Sequence, residues 1–291
     1  MLKLVIPKGS LERATFELFE AADLKVSRGS DREYRGSIDD PRIESVAILR
    51  PQEIPMYVED GYFDIGVTGE DWIAETGSVV SKVTALDYSK QTDRPVKIVL
   101  AVPRDAGITS PEQIKPGSRI STEFPNLTKA YFEKLGIPVR IFLSYGATEA
   151  KVPEIVDAIV DLTETGSTLR RHGMDIVDVL LESRTQLIAN PASFEDREKR
   201  QAIEELKILL KGAIAARSQV LVKLNVSEAQ LNNVIALLPA MKAPTVSQLA
   251  GGGYLAVETL VPKSQINILI PQLKAEGAED IIELAVTKII P

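Results

Sequence analysis

The chain has 291 residues, 44% of them hydrophobic and 26% charged, with a net charge of −7, which suits two or three ordinary globular domains and excludes disorder. It has no cysteine and one histidine, His172, so disulfides, thiolate catalysis, Cys-ligated zinc, His-rich metal sites and Ser-His-Asp triads are excluded. A net negative chain is not a general nucleic-acid binder, since phosphate-backbone affinity comes from clustered Lys and Arg. The opening Met1-Leu2-Lys3-Leu4-Val5-Ile6-Pro7 lacks a signal peptide's apolar core and no run is long enough to span a bilayer, so the expectation is a cytoplasmic enzyme or regulator with neither nucleic acid nor membrane as partner.

In chain order, Leu2 to Ile6 reads as a strand, and after Pro7-Lys8-Gly9 the hydroxyl of Ser10 caps a helix from Leu11 to Ala22. That turn is a place where Lys8, Gly9 and Ser10 can meet an anion, or it is simple turn chemistry beside a surface lysine. Ser45 to Leu49 is a second strand with Arg50 at its carboxyl end, the end that faces the ligand crevice in open α/β sheets. Phe63 to Val67 is a third, leading through Thr68-Gly69-Glu70-Asp71 into a helix at Trp72, so Asp71 is either a crevice residue or a helix cap.

The polar stretch Tyr88 to Pro95 predicts a crossing into a second α/β lobe. Strands follow at Lys97 to Val102, Arg119 to Thr122 and Pro138 to Leu143, with a helix from Asn126 to Leu135 closed by Gly136. Ala158 to Leu162 is a β-branched run of the kind that fits a buried parallel strand, followed by Thr163-Glu164-Thr165-Gly166-Ser167-Thr168 and a helix start at Leu169-Arg170. Strand, glycine-containing polar loop and helix start can present N–H groups to a phosphate, with Asp161 beside it for sugar hydroxyls or a bridging Mg²⁺. The same residues also make an ordinary turn in which Gly166 supplies a positive φ. Ile176 to Leu181 and Thr185 to Ala189 return the chain to the first lobe, and two lobes crossed more than once place a ligand in the cleft.

Phe194 to about Ala216 is predicted helical. The remainder reads as a strand at Gln219 to Val226, a helix opened by Ser227 and Gln230, a hairpin of Ala243 to Leu249 with Tyr254 to Pro262 through Gly251-Gly252-Gly253, a helix from Ser264 to Glu276, and a strand from Asp280 to Ile290. That β-α-β-β-α-β order is ferredoxin-like, and it carries no catalytic cluster.

Ile6-Pro7-Lys8-Gly9-Ser10-Leu11, Arg50 through Pro55, Asp64 through Asp71, Asp157 through Leu169, and Leu238-Pro239 with Met241 through Ser247 together resemble the ATP phosphoribosyltransferase family, in the long form with its own C-terminal regulatory domain. The chain departs from the family pattern at Ser10 and at Gly251-Gly252-Gly253-Tyr254. The resemblance implies two periplasmic-binding-protein-like (type II) α/β lobes around a cleft plus an ACT-like domain. The expected bounds are 1–92, completed by about 183–212, for the first lobe, 93–182 for the second and 213–291 for the regulatory domain. It implies transfer of the phosphoribosyl group of phosphoribosyl pyrophosphate to N1 of ATP, the first step of histidine biosynthesis, with Mg²⁺ as cofactor, held through substrate phosphates. Asp161 and Asp157 are then the catalytic residues, holding ribose hydroxyls near the developing cation, Asp161 with Thr163, Glu164, Thr165, Gly166, Ser167 and Thr168 holds phosphoribosyl pyrophosphate, and Lys8, Gly9, Ser10, Arg50, Asp71 and Glu149 serve ATP. Pro244, Thr245, Val246 and Ser247 are expected to bind histidine as a feedback inhibitor in a homo-oligomer, a dimer or a hexamer. The rival readings are a two-lobed small-molecule binding protein and a catalytically silent regulatory subunit.

Overall fold

The computed structural model describes residues 1–88, 95–239 and 243–290, so most of the expected crossing at 88–95, and Met241 with Lys242, lie outside the described residues. The chain divides into two compact units, Met1–Glu20 with Leu24–Lys207, and Ala21–Asp23 with Ile208–Pro291.

The first unit starts with β1 (Leu2–Pro7), α1 (Glu12–Ala21), β2 (Val26–Ser27), β3 (Arg35–Ile38), β4 (Ile43–Leu49), α2 (Ile54–Glu59), β5 (Ile65–Gly69), α3 (Glu70–Thr76) and β6 (Ser81–Leu86). It continues with β7 (Val96–Pro103), β8 (Arg119–Thr122), α4 (Pro125–Leu135), β9 (Arg140–Leu143), β10 (Ala158–Thr163), α5 (Ser167–Arg171) and β11 (Met174–Ser183). Then β12 (Thr185–Ala189) and α6 (Pro191–Glu195) follow, and α7 (Arg197–Ala216) begins in this unit and continues into the second from Ile208. One sheet runs β2-β3-β4-β1-β5-β12-β6 and the other β11-β7-β10-β8-β9. The return of β12 to the first sheet makes this two α/β lobes joined by more than one passage of chain.

Parallel pairing of β1 with both β4 and β5 aligns the carboxyl ends of three strands at one edge. Strands β1 and β5 are almost wholly buried, as their apolar runs require when both faces are covered. Gly66 permits that cover, because a Cβ there would stand 2.9 Å from methyls of both Ile54 and Val58. In the second lobe β10 is central, parallel to β8 and antiparallel to β7. Ile98, Leu100, Ile120, Phe124, Phe132 and Val160 form the core on one side of that sheet.

The second unit contains β13 (Gln219–Ser227), α8 (Leu231–Leu237), β14 (Thr245–Gln248), β15 (Tyr254–Pro262), α9 (Ile266–Ala275) and β16 (Glu279–Ala285). Its antiparallel sheet runs β14-β15-β13-β16, the ferredoxin-like order. Strand β13 alternates strictly, and its buried Val220, Val222, Leu224 and Val226 meet Val234, Leu269 and Leu273 from the helices.

Several local expectations are corrected. Ser10 caps nothing; α1 begins at Glu12, whose own carboxylate accepts the Gly9 N–H at 3.1 Å. The helix expected over 194–216 is broken at Asp196, where extended backbone separates α6 from α7. Ser227 stays in β13, its hydroxyl donating to the Gln230 side chain at 3.0 Å, and α8 starts only at Leu231. The last strand ends at Ala285, with no ladder continuing towards Ile290.

Candidate active site

Two neighbouring cavities of the first unit share the wall formed by Leu162 and Glu164. One has a volume of about 200 Å³ and is lined by apolar groups such as Leu11, Pro51, Trp72, Leu86, Tyr88 and Val96 together with Ser10, Asp71 and Ser183. The other is polar, lined by Glu149, Asp161, Thr163, Glu164, Thr165, Ser167 and Thr168.

Asp161 sits four residues along from Asp157, where β10 emerges from the core. Burial, with the nearby Glu123 and Glu149 carboxylates, pushes its carboxyl up to about 6, against the Leu162 N–H, which donates to Oδ1 at 2.7 Å, and the Lys151 ammonium. Glu123 follows β8 directly and is itself raised by burial, with Lys151 opposing. Lys151 is anchored by donating to the Ser144 hydroxyl at 2.6 Å. Sequence reasoning missed both residues. Glu123 was within reach, since it stands at the carboxyl end of a parallel strand. Lys151 lies in a short turn with no pattern of its own.

The loop after β10 is held by its own hydroxyls. Thr163 Oγ1 accepts the Gly166 N–H at 2.8 Å and Thr165 Oγ1 accepts the Ser167 N–H at 3.3 Å. A phosphate using those N–H groups would exchange these two bonds, while the exposed Thr165, Ser167 and Thr168 hydroxyls line the cavity directly. Gly166 has φ +71, and a Cβ on it would lie 2.9 Å from Arg170 Nη1, whose guanidinium also donates to the Thr165 carbonyl at 2.8 Å. Because α5 has only five residues, hydroxyls and N–H groups carry this loop more than a helix dipole does.

Asp157 lines neither cavity. It precedes β10 at the opposite end, roughly 13 Å from Asp161 at about 3.3 Å per residue. Both of its oxygens are taken by Arg119, whose guanidinium holds the carboxyl below its usual range.

On the first lobe, Lys8, Arg50 and Asp71 all follow the aligned strand ends. Asp71 is no cap, since Gly69 occupies that position; its Oδ1 accepts the Ser183 hydroxyl at 2.8 Å, and burial pushes its carboxyl up. A Cβ on Gly69 would collide with Asp71 Oδ1 at 1.9 Å. Arg50 is exposed, and its Nη1 lies 3.1 Å from where a Cβ of Gly9 would be, at φ +99. Lys8 turns outside the apolar cavity, donating to the Asp31 carbonyl at 3.1 Å and standing 4.8 Å from the Tyr34 ring centre. Glu149, expected on the ATP side, lines the polar cavity with Asp161 instead.

The two lobes also touch beside the cavity. Glu75 of α3 accepts the N–H groups of Asn126 and Leu127, each at 2.9 Å, at the first turn of α4, and the Trp72 ring packs 4.6 Å from that of Phe124.

A family model described as ATP phosphoribosyltransferase matches residues 50–212, and one described as HisG, C-terminal domain, matches 216–288. The chain belongs to the ATP phosphoribosyltransferase family. It is 44% identical over 290 residues to the ATP phosphoribosyltransferase of Pelotomaculum thermopropionicum, covering 100% of this chain and 99% of the relative. It is 46% identical over 292 residues to that of Desulforudis audaxviator, with the same coverage. A solved ATP phosphoribosyl transferase (HisG:HisZ) complex from Thermotoga maritima contains a chain matching 72% of this one and 99% of itself, at 29% identity and a TM-score of 0.62. Family membership carries the activity, phosphoribosyl transfer to ATP in the first step of histidine biosynthesis. Arg50, Asp71, Glu149 and the whole Asp161 to Thr168 stretch fall inside the matched segment, whereas Lys8, Gly9 and Ser10 precede it.

Among the described residues no group of three or more His, Cys, Asp or Glu is arranged to hold a metal, and no helix is long and apolar enough to cross a membrane. The family generally uses a divalent metal, and the carboxylate and hydroxyl oxygens of the polar cavity are hard donors of the kind such a cation accepts.

Proposed function

We propose that this member of the family holds the ribose 5-phosphate in the Thr163 to Thr168 loop and the attacking nucleotide in the apolar cavity, with Asp161 next to the reacting ribose. The observation that carries this reading is the position of Asp161, a partly buried carboxylate in the wall of the polar cavity, two residues before the hydroxyl loop is entered at Thr163. Displacement at C1 breaks the bond to pyrophosphate before the bond to N1 is complete, so positive charge builds on the ribose. An ionised Asp161 accepts hydrogen bonds from the ribose hydroxyls and stabilises that charge, in a site of low dielectric where the interaction is strong. Mg²⁺, when bound on the pyrophosphate oxygens, neutralises the leaving group. Adenine N1 attacks with its own lone pair, so the site needs no general base, and proximity of the two bound substrates supplies much of the acceleration.

Arg50 and Ser10 serve the polyphosphate or sugar of ATP at the strand edge, and Asp71 with Ser183 shapes the cavity wall. The reading places the enzyme in the cytoplasm with its anionic substrates. In the second unit, Thr245, Val246 and Ser247 are exposed on the edge strand β14 and follow Pro244, which supports histidine binding there and feedback inhibition in a homo-oligomer. The deciding assay incubates the protein with ATP, phosphoribosyl pyrophosphate and Mg²⁺; steady pyrophosphate release is expected, and none from folded protein would remove the reading. Histidine titration tests the second unit: absence of both binding and inhibition would end the regulatory claim.

A further inference from the structure

The wall between the two cavities contains an acceptor left without a donor among the described residues. Glu164 Oε2 is buried and has no hydrogen-bond partner among them. Of the described residues, Glu164 and Leu162 alone line both the apolar and the polar cavity. A buried carboxylate oxygen without a donor is costly, so such an atom marks a place where a bound molecule completes the pairing.

We propose that Glu164 accepts a hydrogen bond from the exocyclic amino group of the attacking adenine, and so selects a 6-aminopurine and stabilises the charge that the purine acquires. The inference rests on the transferase reading above and reassigns Glu164 from the phosphoribosyl group to the nucleotide. The argument is positional. With the 5-phosphate in the polar cavity and the purine body in the apolar one, N1 reaches the ribose C1 only across their shared wall. C6 is bonded to N1, so the amino group on C6 lies at that wall as well. Leu162 has no acceptor side chain; Glu164 has one, and it is unsatisfied.

The chemistry gives that contact more than a binding role. The N1 lone pair forms the new bond to C1, the bond from C1 to the pyrophosphate oxygen breaks, and its electron pair leaves with pyrophosphate. The purine thereby gains one positive charge, shared between N1 and the amino nitrogen, and no proton has to move. A hydrogen bond from that amino group to a carboxylate strengthens as the charge grows, which is the kind of interaction that raises kcat. A 6-oxopurine would instead set its carbonyl oxygen against Glu164 and carry a proton on N1.

The test follows pyrophosphate release with ATP and with purine riboside triphosphate, which keeps N1 and lacks only the amino group, in the wild type, Glu164→Gln and Glu164→Ala. Comparing variants cancels the intrinsic difference in nucleophilicity between the two purines. For Glu164→Ala, kcat/KM with ATP should fall at least about tenfold while that of the analogue stays within about threefold, as expected when a site built to pair a polar group loses its partner. Glu164→Gln should fall between, and KM for phosphoribosyl pyrophosphate should stay within about threefold in both. An unchanged preference for ATP in both variants, or an equal loss with both nucleotides, overturns the inference while leaving the transferase reading standing. No release by the wild type with ATP removes that reading and the inference with it. The Gln variant keeps the shape of Glu164, and its melting curve separates loss of contact from loss of fold.

Discussion

Arg119 grips Asp157 at both carboxylate oxygens, with Nη2 at 2.7 Å from Oδ1 and the backbone N–H at 2.8 Å from Oδ2. The pair is half exposed and sits at the edge of β10 away from the cavities. Asp157→Asn should therefore change kcat/KM by less than about threefold and stability by no more than about 1 kcal/mol. Asp161→Asn should lower kcat by about 100-fold or more, the scale of losing one electrostatic partner of a transition state. Parallel steady-state kinetics on the two variants check this, and comparable losses in both would show that the strand end has been misread.

Asp161 also links activity to stability. Its carboxyl titrates at about 6 when folded against 3.8 ordinarily, so between those values the folded chain holds a proton that the unfolded chain releases. Stability from this group is full below pH 3.8 and is lost as pH rises through 6, leaving a cost on the order of 3 kcal/mol at pH 8. Asp161→Asn should stabilise the protein at pH 8 by an amount approaching that, with the gain vanishing near pH 3.5. Denaturant unfolding of both forms at the two pH values measures it; a constant difference would mean that the carboxyl is not held high.

Gly166→Ala puts a Cβ at φ +71 and 2.9 Å from the Arg170 guanidinium. The strain should cost about 1–2 kcal/mol and shift the hydroxyl loop. KM for phosphoribosyl pyrophosphate should rise by about tenfold, with KM for ATP nearly unchanged. If the rise falls on ATP, the loop serves the other substrate.

Glu75→Ala removes the acceptor for two N–H groups at the first turn of α4. A lost cap and two unpaired donors predict destabilisation of about 2–3 kcal/mol. Glu75→Gln retains one acceptor and should recover part of it. Thermal unfolding decides, and an Ala variant as stable as the wild type would deny the cap any weight.

The strand ends were legible in the sequence because β-branched runs and the polar turns after them are local signals, and Asp71 and Asp161, which follow or end such runs, line the two cavities. Their side-chain partners were not legible. Asp71 bonds Ser183 across 112 residues, and Glu75 bonds Asn126 across 51, so nothing in either local pattern announces the other. The distance of Asp157 from both cavities was not legible for a related reason. Positions four apart on a strand share a face, and spacing alone does not tell that one end meets a cavity while the other meets Arg119. Residues such as Lys151, in a turn outside any periodic element, become visible only when three separate segments converge on one carboxylate.

Trp72 is the chain's only tryptophan, and it stands in the apolar cavity's wall against Phe124. All indole emission from the molecule therefore originates at the cavity. Nucleotide entry, and any shift between α3 and α4, can be followed on the unlabelled wild-type chain by exciting the indole selectively, with no second tryptophan to subtract.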